Sequence, residues 1–194
     1  MATTDHDLRV HRTRKYLKEA YIALLQEQEF YKITVHALTK RAEINRVTFY
    51  LHYQDMDDFV EQFLQELLDE IEAILRTKYD APYEPGYELA TLVTLLEYIA
   101  ANAHIYKTLI VSKSIPYFTQ HLMELMRKLI LGRAPNTDHQ AFPAMDIPKD
   151  IAAWYGTSAM VGTIALWLGE DMPYSPHYLA KQIVKLNPFR PDIR

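Results

Sequence analysis

Hydrogen-bonding side chains are concentrated near the N-terminal end, in the segment TVHALTKRAEINRVTFYLHY. Arg46 can bond to a guanine edge through two N–H groups, and Thr48 can contact a thymine methyl group. Tyr50, His52 and Tyr53 are expected to point outward, where they can donate to phosphate oxygens, and such contacts hold a protein on a duplex without reading its sequence. The residue types in this segment therefore predict contact with DNA.

Two short helices are expected to position these side chains. Thr34 and Asn45 stand at N-cap positions, where a side-chain oxygen can accept from an unpaired backbone N–H. Each cap follows an isoleucine that has an apolar partner at hydrophobic-staple spacing, and Phe49 is the inward-facing partner in the second helix. The turn between the helices is too short for a strand, so the segment is typical of a helix-turn-helix that reads the DNA major groove.

The residues predicted to contact DNA lie on these two helices or at their caps. They are Thr34, Thr39, Lys40, Asn45, Arg46, Val47, Thr48, Tyr50, His52 and Tyr53. Arg46 and Thr48, at the exposed end of the second helix, are expected to meet bases. The competing interpretation is an ordinary helical hairpin with tyrosines and histidines on its surface, because a fold alone does not establish a function.

The charge distribution supports a polyanionic partner, although the chain carries a net charge of −4. Residues 1–54 contain nine Lys and Arg against six Asp and Glu, which gives +3, and the remainder contains twelve against nineteen, which gives −7. A basic end on an acidic body can steer the protein toward DNA. Cysteine is absent, and no apolar secretory segment follows the N-terminus, so a cytoplasmic protein is expected.

Helical periodicity dominates the whole chain and predicts an all-α fold. The first helix is expected to start near Leu8 and to fray at Gln26–Glu29, and a broad apolar stripe from Met56 predicts a long helix. Later helices are expected at 87–101, at 105–111, from Pro116, around Pro148 and at Pro176–Leu186, with breaks at Tyr79–Gly86 and Gly132–Pro148. The predicted domains are a helix-turn-helix domain at 8–54 and a helical effector-binding and dimerisation domain at 55–194, with the helix at 55–78 as connector.

Residues 151–169 carry no charge and approach the ~20 apolar residues that span a bilayer. The segment also contains several Gly, Ser and Thr residues, and few Leu, Ile and Val residues. This composition favours a buried or subunit-interface helix, so no membrane contact is predicted.

Catalysis finds little support in the sequence. Asp5-His6-Asp7 and Asp138-His139 bring carboxylate and imidazole together, but without the further ligands and fixed spacing that zinc needs. The chain has no recognisable nucleophile motif and no glycine-rich phosphate loop. We therefore predict no enzyme activity, no catalytic residue, no cofactor and no metal.

The run from Arg12 to about Leu68 resembles the N-terminal domain of the TetR family of transcriptional regulators. The residues that carry the resemblance are Thr34, at the start of helix two, and the run Thr48-Phe49-Tyr50-Leu51-His52-Tyr53 in the recognition helix. The resemblance implies three N-terminal helices, a long linking helix and a helical ligand-binding and dimerisation domain. It also implies a homodimer on a palindromic operator, usually a repressor that a small molecule releases.

Two positions depart from the family pattern. Glu43 stands in the turn where the family usually has glycine, a residue that tolerates left-handed backbone. Met56 stands where the family often has a lysine that meets the DNA backbone, so the salt dependence of binding is expected to fall by about one unit.

The C-terminal half matches the family in plan only, and two roles are predicted for it. Large and small residues for close helix packing between subunits are Trp154, Ser158, Gly162 and Trp167. Aromatic and Met residues suited to a small apolar or aromatic effector are Tyr98, Tyr106, Phe118, Leu122, Met126 and Met160. The competing interpretation of both sets is that they fill the core of one subunit.

Two other functions remain open from the sequence. One is a transcriptional co-activator on the same fold that responds to a protein partner and not to a small molecule. The other is a helical interaction protein without DNA binding, which predicts no salt-sensitive binding to any duplex.

Overall fold

A computed structural model describes residues 2–76, 87–112, 114–132 and 147–186. The predicted break at Tyr79–Gly86 and the Asp138-His139 pair lie outside these ranges. The side chains of residues 5–7 also lie outside the described part, as does the predicted end of the connector beyond Arg76.

The described residues form nine α-helices, and the predicted all-α fold is confirmed. They are α1 (Ala2–Glu27), α2 (Val35–Arg41), α3 (Arg46–Tyr50), α4 (Met56–Arg76), α5 (Tyr87–Ala101), α6 (Ala103–Tyr106), α7 (Pro116–Gly132), α8 (Lys149–Gly169) and α9 (Pro176–Leu186). A short 3-10 helix, Phe30–Lys32, precedes α2, and a π-helical segment, Lys107–Val111, joins α6 to α7.

Most helix bounds agree with the sequence periodicity, but two predictions were wrong. The helix α1 begins at Ala2 and not near Leu8, because residues 2–7 contain no Pro or Gly that would stop a helix. Pro148 is the N-cap of α8 and does not lie in its first turn, since its ψ of 139° is outside the helical range.

An aromatic cluster joins α1, α3 and α4 into the N-terminal unit. Tyr21 of α1 meets Phe59 and Phe63 of α4 edge-on, with ring centroids 5.3 and 6.0 Å apart. Phe49 of α3 lies 6.1 Å from Phe59, and all four rings are buried. Such aromatic pairs contribute roughly 0.5–1.5 kcal/mol each beyond the area they bury. The cluster therefore sets how α3 lies against the two long helices.

The helix α4 is shared between the two ends of the molecule. At one end it packs in the aromatic cluster, and further along it packs on α5 and α7. The helices α5 to α9 form the rest of the molecule, which we call the body. Within it, α5 contacts α9 and α7 contacts α8. The apolar core runs without interruption from Leu17 of α1 to Ala180 of α9.

Polar contacts also tie α1 to the rest of the molecule. Arg14 and Lys18 of α1 both pair with Glu66 of α4. The Gln26 side chain donates to the Thr108 hydroxyl at 3.3 Å, which links α1 to the π-helical segment. Part of the basic character of α1 is thus used within the subunit.

Within the described ranges, α8 is the one helix long and apolar enough to pass a test for a membrane span by length and composition. Its buried residues Ala152, Ala153, Ile164 and Leu168 face the protein interior. One side of the helix packs against α7 and the π-helical segment, so the helix is part of the folded protein and is an unconvincing span.

Candidate nucleic-acid interface

Two side-chain caps start the helices of the helix-turn-helix. The Thr34 hydroxyl accepts a hydrogen bond from the Ala37 N–H at 3.2 Å at the start of α2. The Asn45 side-chain oxygen accepts from the Val47 N–H at 2.8 Å at the start of α3. Both cap residues have extended backbone, so both predicted caps are confirmed.

Phe49 determines which side of α3 faces outward. Its ring is completely buried and lies 5.3 Å from the ring of Tyr53. With that side of a one-turn helix turned inward, four side chains project from the other side. We call these the outer face of α3, and they are Arg46, Val47, Tyr50 and the C-cap residue Leu51, all exposed.

Two residues predicted to reach DNA are instead directed inward. Tyr53 is buried, and its ring meets that of Phe59 edge-on at 5.0 Å. Burial raises the pKa of the Tyr53 phenol to about 12. The buried Thr39 hydroxyl donates to the Val35 carbonyl at 2.8 Å, within α2. Tyr53 follows Phe49 by four residues and therefore shares its inward side, so the expectation that it points outward was wrong.

The other predicted residues have the accessibility that a DNA contact needs. Thr34, Lys40, Asn45, Arg46, Val47 and Tyr50 are exposed, and Thr48 and His52 are half-buried. Leu51 was not predicted, although its four-residue spacing from Val47 places both on one side of the helix. That spacing was the signal that could have identified it.

The turn between α2 and α3 has left-handed backbone at Glu43, with φ of 55°. The Ile44 N–H donates to the Thr39 carbonyl at 2.9 Å, and the Glu43 N–H donates to the Lys40 carbonyl at 3.3 Å. This pair of bonds is the Schellman arrangement, which usually has glycine at its left-handed position. The backbone is therefore left-handed where the family usually has glycine, and a glutamate occupies the position.

The start of α4 lies directly after the helix-turn-helix and has its own acidic cap. The Asp55 carboxylate accepts from the Asp58 N–H at 2.9 Å, and the Asp58 carboxylate accepts from the Gln54 N–H at 2.8 Å. The bond from Gln54, followed by a bond from the Gln62 side chain, lowers the pKa of Asp58. Met56, in place of the family lysine, is half-buried and packs on the core.

The residues predicted for subunit contact fall into two groups. Trp154 is 58% exposed, and Ser158 and Gly162 are exposed on the same side of α8. A Cβ added to Gly162 would meet no atom within 4 Å. Trp167, by contrast, is 4% exposed, and its indole N–H donates to the Tyr174 carbonyl at 2.9 Å. Trp167 is therefore a core residue of the subunit and was wrongly placed at its surface.

The predicted effector residues lie in the core of the body. Tyr106, Phe118, Leu122 and Met126 are buried, and Tyr98 and Met160 are half-buried. The Tyr106 hydroxyl donates to the Tyr98 hydroxyl at 3.2 Å, and Tyr98 donates to Glu70 of α4. Burial raises the pKa of both phenols. An effector cavity among these residues stays a prediction.

A capped helix-turn-helix that is packed on a larger all-α body is the architecture of a DNA-binding transcription regulator. Residues 89–188 match a family model described as "Transcriptional regulator C-terminal region", which covers just over half of the chain. The chain belongs to the TetR family of transcriptional regulators.

Similar proteins agree with this assignment. The chain is 25% identical over 184 residues to the "Uncharacterized HTH-type transcriptional regulator YxbF" of Bacillus subtilis strain 168, covering 92% of this chain and 45% of that protein. The chain thus spans about half the length of the curated relative it matches.

Two solved structures share the fold. A TetR transcriptional regulator from Streptococcus agalactiae 2603V superposes with a TM-score of 0.66 at 23% identity, covering 95% of this chain and 98% of that one. The "Dihydroxyacetone kinase operon activator DhaS" gives a TM-score of 0.58 at 19% identity, covering 90% of this chain and 93% of that one.

Proposed function

We propose that this regulator binds a palindromic operator as a homodimer and represses transcription until a small apolar or aromatic effector releases it. In this proposal α3 enters the major groove, with Arg46 and Thr48 near the bases. Thr34, Lys40, Tyr50 and His52 lie along the phosphate backbone. The DNA target makes the cytoplasm the expected location.

The observation that carries the DNA-binding proposal is the outer face of α3. Arg46 and Tyr50 supply N–H and O–H donors there, while the buried Phe49 prevents α3 from rotating about its own axis. A rigid support matters because a side chain must be held in one orientation to discriminate base edges. Asn45 contributes its oxygen to the cap and keeps its amide N–H groups as donors toward DNA.

The exposed side of α8 supports the homodimer. Six of its exposed residues recur at helical spacing, and we call these six the α8 outer face: Ile151, Trp154, Tyr155, Ser158, Gly162 and Leu166. Apolar residues on one side with an unobstructed glycine in the middle suit close approach of a second helix. A symmetric partner reads a palindrome, because each copy meets an identical half-site. A stable interface would bury about 800 Å² on each copy.

The Tyr106–Tyr98–Glu70 chain supports the effector part of the proposal. It runs from the buried centre of the body to α4, the helix that also packs against the N-terminal unit. A ligand that binds in the body alters DNA affinity only if it prefers one of two conformations. A ligand that takes the Tyr106 hydroxyl would remove its hydrogen bond to Tyr98, the α5 residue that bonds to Glu70 of α4.

Binding of selected duplexes tests the DNA proposal. Operators are first selected from random duplexes, and affinity is then measured by fluorescence anisotropy at several salt concentrations. Tyr50→Ala is compared with Tyr174→Ala, because the two tyrosines are 51% and 55% exposed and only the first lies on α3. We expect weaker binding for Tyr50→Ala alone. The residue assignment fails if both variants bind as the wild type does.

The same preparation distinguishes the alternative functions. A folded dimer that binds no duplex at low salt would indicate a helical interaction protein. Transcription from a promoter that carries the selected operator, with and without the protein, gives the sign of regulation. Activation that depends on a second protein would favour the co-activator.

A further inference from the structure

Two aliphatic side chains stand exposed on the outer face of α3 without a role in the fold. Val47 is 68% exposed and Leu51 is 75% exposed. The inward side of this unit is already filled by Phe49, Tyr53 and Phe59, which are buried together. Neither aliphatic residue is therefore needed to hold the helix in place.

The two side chains form one apolar strip beside hydrogen-bond donors. The Leu51 N–H donates to the Val47 carbonyl at 3.2 Å, so the two residues are one helical turn apart on the same side. Arg46 precedes Val47 in sequence, and Tyr50 precedes Leu51. The strip is thus continuous with the donor groups that the proposed function directs at DNA.

When an apolar strip of a protein enters the major groove, its principal apolar partner there is the C5-methyl group of thymine. We propose that Val47 and Leu51 each contact a thymine methyl group and so specify thymine in every operator half-site. This inference rests on the proposed DNA binding.

The helix geometry limits where these thymines lie. Side chains one turn apart have Cβ atoms about 5–6 Å apart. Successive bases on a strand are separated by about 3.4 Å along the axis. The two thymines are therefore expected within about two base steps of each other.

Removal of single methyl groups from the DNA tests this directly. In a selected operator, each thymine is replaced in turn by deoxyuridine, which differs only by lacking the methyl group. Affinities of the wild type, Val47→Ala and Leu51→Ala are measured on every duplex. One buried methyl group corresponds to roughly a fourfold change in affinity.

The expected result is that each of the two residues accounts for the sensitivity to the methyl group of one thymine. The wild type loses about fourfold on deoxyuridine at two positions in the half-site. Val47→Ala becomes insensitive at one of these positions and Leu51→Ala at the other. Leu51→Met, which keeps an apolar side chain of similar reach, retains the sensitivity.

Several outcomes would overturn the inference. One is a wild type that is insensitive to every deoxyuridine replacement, and another is an equal loss in all three proteins. Both leave DNA binding itself intact, so they are distinct from failure of the proposed function. Failure of the wild type to bind any duplex overturns both proposals. Thermal unfolding of each variant checks that it is folded. The deoxyuridine series on the wild type tests for thymine methyl contacts even if no variant folds.

Discussion

Replacing Glu43 by glycine tests the backbone of the turn between α2 and α3. Glu43 has φ of 55°. The left-handed conformation costs roughly 1–2 kcal/mol for a residue with a Cβ. The Schellman bonds of 2.9 and 3.3 Å use only backbone atoms, so glycine keeps them. Glu43→Gly should therefore remove strain without removing a hydrogen bond from the turn.

The expected gain in stability is smaller than the strain itself. Glycine loses more conformational freedom on folding, which costs roughly 0.5–1 kcal/mol. The difference between the mid-range values is a net stabilisation of roughly 0.75 kcal/mol. For a chain of this size, that corresponds to a rise of about 1–4 °C in the midpoint of thermal unfolding.

The lost carboxylate has a separate effect on DNA affinity. At about 10 Å from a phosphate in water, the repulsion between two unit charges is roughly 0.4 kcal/mol, or about twofold in affinity. At about 0.1 M salt the Debye length is also about 10 Å, so dissolved ions screen much of this repulsion. A gain in affinity should therefore be present at low salt and decline as salt is added.

Glu43→Gln is the matched control, because it removes the charge and keeps both the side-chain length and the left-handed strain. Differential scanning fluorimetry should show a higher midpoint for the glycine variant than for the glutamine variant. Both variants should gain DNA affinity at low salt. Equal midpoints for the two variants would refute the reasoning from backbone strain, whatever the DNA result.

The remaining predictions concern the dimer, the aromatic cluster and the cap of α4. Gly162→Arg should fold and shift the protein toward monomer in analytical ultracentrifugation, whereas Gly169→Ala, whose added Cβ lies 3.7 Å from the Val111 side chain, should not. Phe49→Ala should lower the free energy of unfolding in urea by about 3–5 kcal/mol, while the exposed Tyr50→Ala should change it by less than about 1 kcal/mol. The folded-state pKa of Asp58 lies below its ordinary value of 3.8, so its carboxylate stabilises the fold above about pH 4 and that contribution is lost as pH falls through the lowered pKa. The stability difference between the wild type and Asp58→Asn should accordingly narrow between about pH 5 and pH 3, and a constant difference would contradict this.

Local chemistry is what made the helix-turn-helix predictable from the sequence. The caps at Thr34 and Asn45 use hydrogen bonds to residues two or three positions away, so nearby residue types were sufficient. The left-handed turn at Glu43 is also local, although a glutamate conceals it and only comparison with a glycine pattern indicated it. The all-α fold followed from periodicity for the same reason, since each helix bonds to itself.

Burial, in contrast, was decided by how each side chain packs against other elements of the fold. Tyr53 is turned inward because Phe59 of α4 lies beside it, and Trp167 is buried because its indole N–H finds the Tyr174 carbonyl. Aromatic side chains with one polar atom suit either a surface or a core, and only the presence of a packing partner distinguishes the two. The residues alone therefore determined where the helix-turn-helix lies and how its helices start. The tertiary structure decided which of its side chains remain outside, because burial is a property of packed elements and not of a single helix.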